Sequence, residues 1–93
     1  MYDPLSKVLE VYGTGQDGKL EEYFWTPGNG WQTTDPPSSG FSAITGSPFA
    51  VYDNVGKHQE VYAVTSTAAL GEYYYAPGKG WNSQSLGGNL ATL

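Results

Sequence analysis

Short runs of β-branched and aromatic residues, with polar positions interleaved, recur along this chain between clusters of Gly, Pro, Asp and Asn. Alternation at period two, bounded by turn formers, is the pattern of half-buried strands and not of helices. Residues 8–12 (VLEVY) and 60–64 (EVYAV) predict one pair of strands, 20–25 (LEEYFW) and 70–75 (LGEYYY) a second, and 31–34 and 81–85 a third. Between the second and third stands PGNG or PGKG, where Pro presets φ and Gly supplies the positive φ of a tight turn. The loop GTGQDGK turns on Gly15, Asp17 and Gly18, whereas its counterpart TSTAA has lost the glycines and reads as a loop that tolerates change. Residues 41–53 (FSAITGSPFAVYD) hold a further strand, strongly apolar at 49–52, and 35–40 (DPPSSG) reads as the loop before it. TSTAAL is the nearest approach to a helix, and it is too short and flanked by strands. The expectation is an all-β chain.

These elements occur twice. LEVYGTGQDGKLEEYFWTPGNGW at 9–31 aligns without a gap on QEVYAVTSTAALGEYYYAPGKGW at 59–81, so residues 1–43 match 51–93 at an offset of fifty. Matched pairs include Tyr2 and Tyr52, Asp3 and Asp53, Lys7 and Lys57, Tyr12 and Tyr62, and Leu20 and Leu70. A fixed period of this size marks one supersecondary unit stacked repeatedly, and a unit of four strands is a propeller blade. Two units fall short of the roughly three that a repeat array needs to bury a continuous core. The predicted architecture is therefore a β-propeller of two four-stranded blades per chain, completed by oligomerisation. A homo-oligomer follows, a trimer with a six-bladed ring being favoured, because ring closure removes open edges. The two termini fall at unequal places in the repeat, as a cut through a continuous array would leave them. A self-contained small β-domain is the alternative fold.

Composition narrows the function by exclusion. The formal net charge is −5, with four lysines and no arginine, which argues against nucleic acid and against an anionic membrane surface. No apolar run approaches the ~18 residues of a membrane span, so no membrane insertion is expected, and no basic-then-apolar leader opens the sequence. Without cysteine there is neither disulfide nor thiolate metal site. His58 is the only histidine and stands opposite Val8 of the other repeat, which reads as a tolerated strand position. A nucleophilic triad has only carboxylates for its base, and no cofactor is implied.

The repeated carboxylates Glu10, Glu60, Glu22 and Glu72 carry the remaining chemistry. A glycosidase needs one asymmetric carboxylate pair, whereas duplicated positions suit several equivalent binding sites, so no enzyme is expected. Glu10 and Glu60 read equally as structural carboxylates bonded to a turn or a neighbouring strand. Trp25 or Tyr75 lies three residues after Glu22 or Glu72, and Trp31 or Trp81 lies six further on. A flat aromatic covers the C–H face of a sugar, and a carboxylate accepts from adjacent hydroxyls. Core packing between units is the competing role for Trp31 and Trp81.

The order EVY, a turn, E-x-x-W or E-x-x-Y, then GW resembles the repeat of the fucose-binding β-propeller lectins of fungi and bacteria. The segment SPFAVYDNVGKHQEVYA…YYYAPGKGWNSQSLGG is also similar to repeats of a related bacterial family of seven-bladed lectins. The resemblance implies a sugar-binding module. Its Glu matches Glu22 and Glu72, its following aromatic matches Trp25 and Tyr75, and its Trp after the glycine turn matches Trp31 and Trp81. It implies as well that two-blade chains trimerise into a ring. Where the fucose-binding repeat carries an Arg, this chain has Glu10 and Glu60. A carboxylate does not supply a guanidinium fork, so the ligand implied is a neutral mono- or oligosaccharide that need not be fucose. A structural or engineered propeller assembly without sugar binding is the alternative function.

Overall fold

The computed structural model describes residues 1–4, 7–37 and 43–93. Eight strands follow one another: β1 (Tyr2–Asp3), β2 (Val8–Thr14), β3 (Leu20–Thr26), β4 (Gly30–Thr34), β5 (Ile44–Asp53), β6 (His58–Thr65), β7 (Leu70–Ala76) and β8 (Gly80–Ser85). They form two four-stranded antiparallel meanders, β1-β2-β3-β4 and β5-β6-β7-β8. No helix occurs among the described residues. The expected strand at 41–53 is seen from Ile44 onward; residues 41 and 42, and 38–40 of the expected loop, lie outside the described residues.

The repeat is visible in the register. Tyr12 pairs with Glu22 and Tyr62 with Glu72; Trp25 pairs with Trp31 and Tyr75 with Trp81. The connections match too: the Lys7 and Lys57 amides donate to the Asp3 and Asp53 carbonyls at 2.8 and 2.7 Å, with both lysines at positive φ (58° and 57°). The first sheet departs from the second at its edge, where β1 has two residues and β5 has ten. In the glycine-free loop, Ala68 (φ 65°) adopts the left-handed conformation that Gly18 (φ 81°) adopts in the other repeat. The loop shape is therefore kept at the cost of a conformation that a Cβ disfavours.

Strand alternation gives each sheet two faces, and the sheets meet through different ones. The first sheet turns Glu10, Tyr12, Leu20 and Glu22 inward, whereas the second turns Gln59, Val61, Ala63 and Tyr73 inward, one residue out of phase in the repeat. Leu20, Ile44, Val61, Ala63 and Tyr73 form the core, flanked by Tyr12, Ala50 and Trp81. Tyr12 meets Trp81 edge-on across the junction, with ring centroids 6.1 Å apart. Equivalent residues consequently have unequal surroundings. Val61 and Tyr73 are 0% exposed, while their counterparts Val11 and Tyr23 are 55% and 41% exposed.

Candidate functional site: an acidic cleft between the sheets

Positions two apart on a strand share a face, so Glu10 and Tyr12 of β2 point together toward the second sheet. Antiparallel pairing sets Glu22 of β3 opposite Tyr12. The Tyr12 hydroxyl donates to Glu22 Oε2 at 2.9 Å and lies 3.3 Å from Glu10 Oε2. Gln59 Nε2 reaches across from β6 and donates to Glu10 Oε2. Behind Glu10, the Met1 amino group donates to its backbone carbonyl at 2.7 Å. These side chains border a cleft of about 230 Å³ lined by Asp3, Val8, Glu10, Glu22 and Phe24 of the first sheet and Gln59 and Tyr75 of the second.

Burial sets the electrostatics. Glu10 and Glu22 are both buried. Desolvation, reinforced by the adjoining Glu22 carboxylate, pushes the Glu10 carboxyl up to about 8, against the smaller opposing pull of the Gln59 and Tyr12 hydrogen bonds. The Glu10 carboxyl therefore keeps its proton near neutrality. Glu10 Oε1 is buried and has no hydrogen-bond partner among the described residues. The Tyr12 hydroxyl is held protonated by burial and by the charges of Glu22 and Glu10. No Lys, Arg or His lines the cleft among the described residues.

The second repeat builds the same motif with different compensation. The Tyr62 hydroxyl lies 2.9 Å from Glu72 Oε2 and 3.1 Å from Glu60 Oε1, and burial is the first cause of its raised pKa. Gln84 Nε2 donates to Glu72 Oε1 at 2.7 Å. His58 Nε2 stands 2.8 Å from Glu60 Oε2 and 3.8 Å from Asp53 Oδ2. Its imidazole is raised above its ordinary pKa by a hydrogen bond with the Gly56 backbone and then by Glu60 and Asp53, against the opposing effect of burial. Asp53 is held low by the Gly56 and Val55 amides, which donate to Oδ1 at 3.1 and 2.9 Å. Asp53, His58 and Glu60 place one ligand atom each within 4.8 Å of one another, a spacing open to a divalent cation; protonated His58 balances the same two carboxylates without one. His58 is thus more than a tolerated strand position.

Of the eight residues singled out in the sequence, the cleft brings together Glu10, Glu22 and Tyr75. Trp81 supports it from behind, edge-on to Tyr75 at 5.5 Å and to Tyr12. Glu60 and Glu72 stand around Tyr62 on the other face of the second sheet, and Trp25 and Trp31 are cross-strand neighbours in the first. Trp31 is 57% exposed. The cleft therefore mixes the carboxylates of one repeat with the aromatic of the other, and does not collect the Glu-Trp-Trp or Glu-Tyr-Trp set of a single repeat. Sequence reasoning passed over Tyr12, Phe24, Gln59 and Asp3. The E-x-Y spacing on a predicted strand was a signal for Tyr12; Gln59, opposite Leu9 in the repeat, offered none.

No protein-family model matches the chain, and no curated protein matches it at a significant level.

Proposed function

We propose that the protein is a carbohydrate-binding module whose sugar sits in the cleft between adjacent sheets, and that copies of the chain join as propeller blades into a closed multivalent ring. The observation that carries the reading is the cleft itself: buried acceptors from Glu10 and Glu22 beside the Tyr75 ring, in a space of about 230 Å³. That volume lies just under the roughly 300–1,000 Å³ of drug-sized sites and suits a single sugar ring. Aromatic faces cover C–H groups while carboxylates accept from hydroxyls.

Repeat symmetry supports the assembly. The inward face of the first sheet is covered by the second, yet the equivalent face of the second sheet, with Tyr62 and Leu70, is left as an apolar hollow also lined by Phe49 and Leu93. The first sheet in turn leaves Leu9, Val11, Tyr23 and Trp31 exposed, at positions whose counterparts Val61 and Tyr73 are wholly buried. Repeating the observed junction between copies sets the second sheet of one chain on the first sheet of the next. Such a head-to-tail contact closes into a ring when its rotation permits, with three chains and six blades favoured. Each junction then carries Glu60 and Glu72 from one copy and Trp25 and Trp31 from its neighbour, so all eight residues fall at two kinds of cleft.

A single shallow site of this kind binds at about −4 to −8 kcal/mol, millimolar to micromolar, and several sites on one ring add roughly two or more orders of magnitude on a glycan surface. The test is a glycan array with calorimetry on the wild type and on Glu22→Gln, Glu72→Gln. A signal from the wild type and its loss by about 1.5–3 kcal/mol per site in the variant is expected, one charge-assisted hydrogen bond being removed. An assembled ring with no glycan signal refutes the sugar reading.

A further inference from the structure

The charge of the cleft points to a narrower ligand class. Asp3, Glu10 and Glu22 line one small space, and no cationic side chain lines it among the described residues. Glu10 is only 3% exposed, and its Oε1 meets no hydrogen-bond partner there. A buried, unpartnered carboxylate oxygen beside a second buried carboxylate is costly unless a cation or a proton compensates it. In the second repeat a basic side chain stands at the carboxylate: His58 Nε2 lies 2.8 Å from Glu60 Oε2 and compensates it when protonated. In the first repeat Val8 occupies the matching position, so Glu10 is compensated by a proton, which a ligand cation can displace. The walls suit it. Phe24 and Tyr75 border the same cleft, and aromatic faces attract ammonium groups, the more so when water is excluded.

We propose that the cleft between the two sheets binds the protonated amine of an amino sugar, with the ammonium held by Glu10 and Glu22 and the sugar ring lying against Tyr75 and Phe24. This rests on the carbohydrate reading above and replaces the neutral ligand implied by the sequence resemblance at this one cleft. Binding exchanges one cation for another: the incoming ammonium donates to the carboxylates, and the proton held by Glu10 leaves to solvent. The groups facing that proton are Asp3 of β1, Glu10 and Tyr12 of β2, Glu22 of β3, Gln59 of β6 and Tyr75 of β7, with the Met1 amino group on the Glu10 carbonyl. Of these, Tyr12 stays protonated near neutrality, so the Glu10 carboxyl is the source of the released proton.

Titration calorimetry on the assembled wild-type protein tests this with glucosamine, glucose, N-acetylglucosamine and propylammonium. The titrations use two buffers of different ionisation heat, neither of them a primary amine. At pH 7 glucosamine should bind about tenfold or more tighter than glucose or N-acetylglucosamine, the difference between a charge-assisted and a neutral hydrogen bond. Its heat should depend on the buffer in the sense of proton release, and its affinity should fall as pH is lowered from 7 to 5.5, by at most about tenfold per unit for one exchanged proton. Glu22→Gln should weaken both ligands and glucosamine the more, so that the preference for glucosamine over glucose is lost. Competition by propylammonium on the wild type reads the same site without a variant that has to fold. Glucose binding as tightly as glucosamine, with no buffer dependence, overturns the inference and leaves the carbohydrate reading standing. Propylammonium and glucosamine binding equally, with no neutral sugar bound, upholds the cation site and removes the carbohydrate reading. If no amine and no sugar binds, both fall.

Discussion

Replacing Glu10 by Gln removes an ionisable group from the junction while keeping its shape, and the consequence follows from the proton that Glu10 holds. In the folded chain the Glu10 carboxyl is raised from an ordinary 4.5 to about 8, chiefly by burial. A raised acid binds its proton more tightly folded than unfolded. The wild type therefore loses stability as pH rises from the unfolded value toward the folded one, at up to about 1.36 kcal/mol per pH unit. Between pH 5.5 and 7.5 that bounds the loss at about 2.7 kcal/mol. A Gln at position 10 keeps an acceptor for Gln59 and brings its own donor for Glu22, so Glu10→Gln should flatten this slope and be more stable than the wild type at pH 7.5 by about 1–2 kcal/mol.

Urea unfolding followed by Trp fluorescence at pH 5.5, 6.5 and 7.5, at one protein concentration, reads both quantities. His58 is also raised, so its contribution is present below its unfolded value and is lost with the same sign as pH rises. Repeating the series in a His58→Gln background isolates Glu10. The lowered Asp53 acts only toward acid pH, where its contribution is lost as pH falls, outside this window. A wild type whose stability is flat or increasing from pH 5.5 to 7.5, or a Glu10→Gln variant retaining the full slope, would refute the raised Glu10 carboxyl.

Three further outcomes are expected. Ala68→Gly should raise stability by up to about 1 kcal/mol in a thermal melt, because the left-handed backbone at position 68 is the one glycine takes at 18. Tyr12→Phe should cost about 1–3 kcal/mol in urea at neutral pH by stripping the hydroxyl from a buried Glu22; Tyr62→Phe, on the open face, should cost less in the isolated chain. Val11→Asp should leave the strand content intact by circular dichroism and shift native mass spectra to monomer, since this exposed residue would be a blade-to-blade contact in the proposed ring; an unchanged oligomer would remove that face from the proposed assembly.

The fold was legible because the features that set it are local. Strand alternation, the PG turns and the period of fifty each lie within one stretch of chain, and the register repeats them at Tyr12–Glu22 and Tyr62–Glu72. The site was less legible because it is made between repeats. The sequence presents Glu22, Trp25 and Trp31 as a set, yet alternation sends Glu22 to one face of the sheet and sends Tyr23 and Trp31 to the exposed side. The aromatics that join Glu22 are Phe24, two residues on along the same face, and Tyr75, from the other repeat and the opposite phase. The proton on Glu10 was further out of reach, since it depends on burial that no motif encodes.

Divergence at single positions turns a duplicated motif into two different sites. The Glu-x-Tyr strand and its facing Glu are the same in both repeats, and so is the difficulty they create, two carboxylates around one hydroxyl with too little positive charge. At position 58 the second repeat answers with a histidine on Glu60; at position 8 the first has valine, and Glu10 retains a proton instead. Gln59 adds a donor to Glu10 where the repeat-equivalent Leu9 brings none. In the proposed ring, clefts with a histidine beside the carboxylates would thus alternate with clefts whose carboxyl holds a proton that a ligand cation can displace. Exchanging the two residues tests this directly. Val8→His should abolish the preference for glucosamine over glucose at the junction within the chain, because the new imidazolium occupies the charge that the amine would meet. If calorimetry finds that preference undiminished in Val8→His, uncompensated charge is not what selects the ligand there.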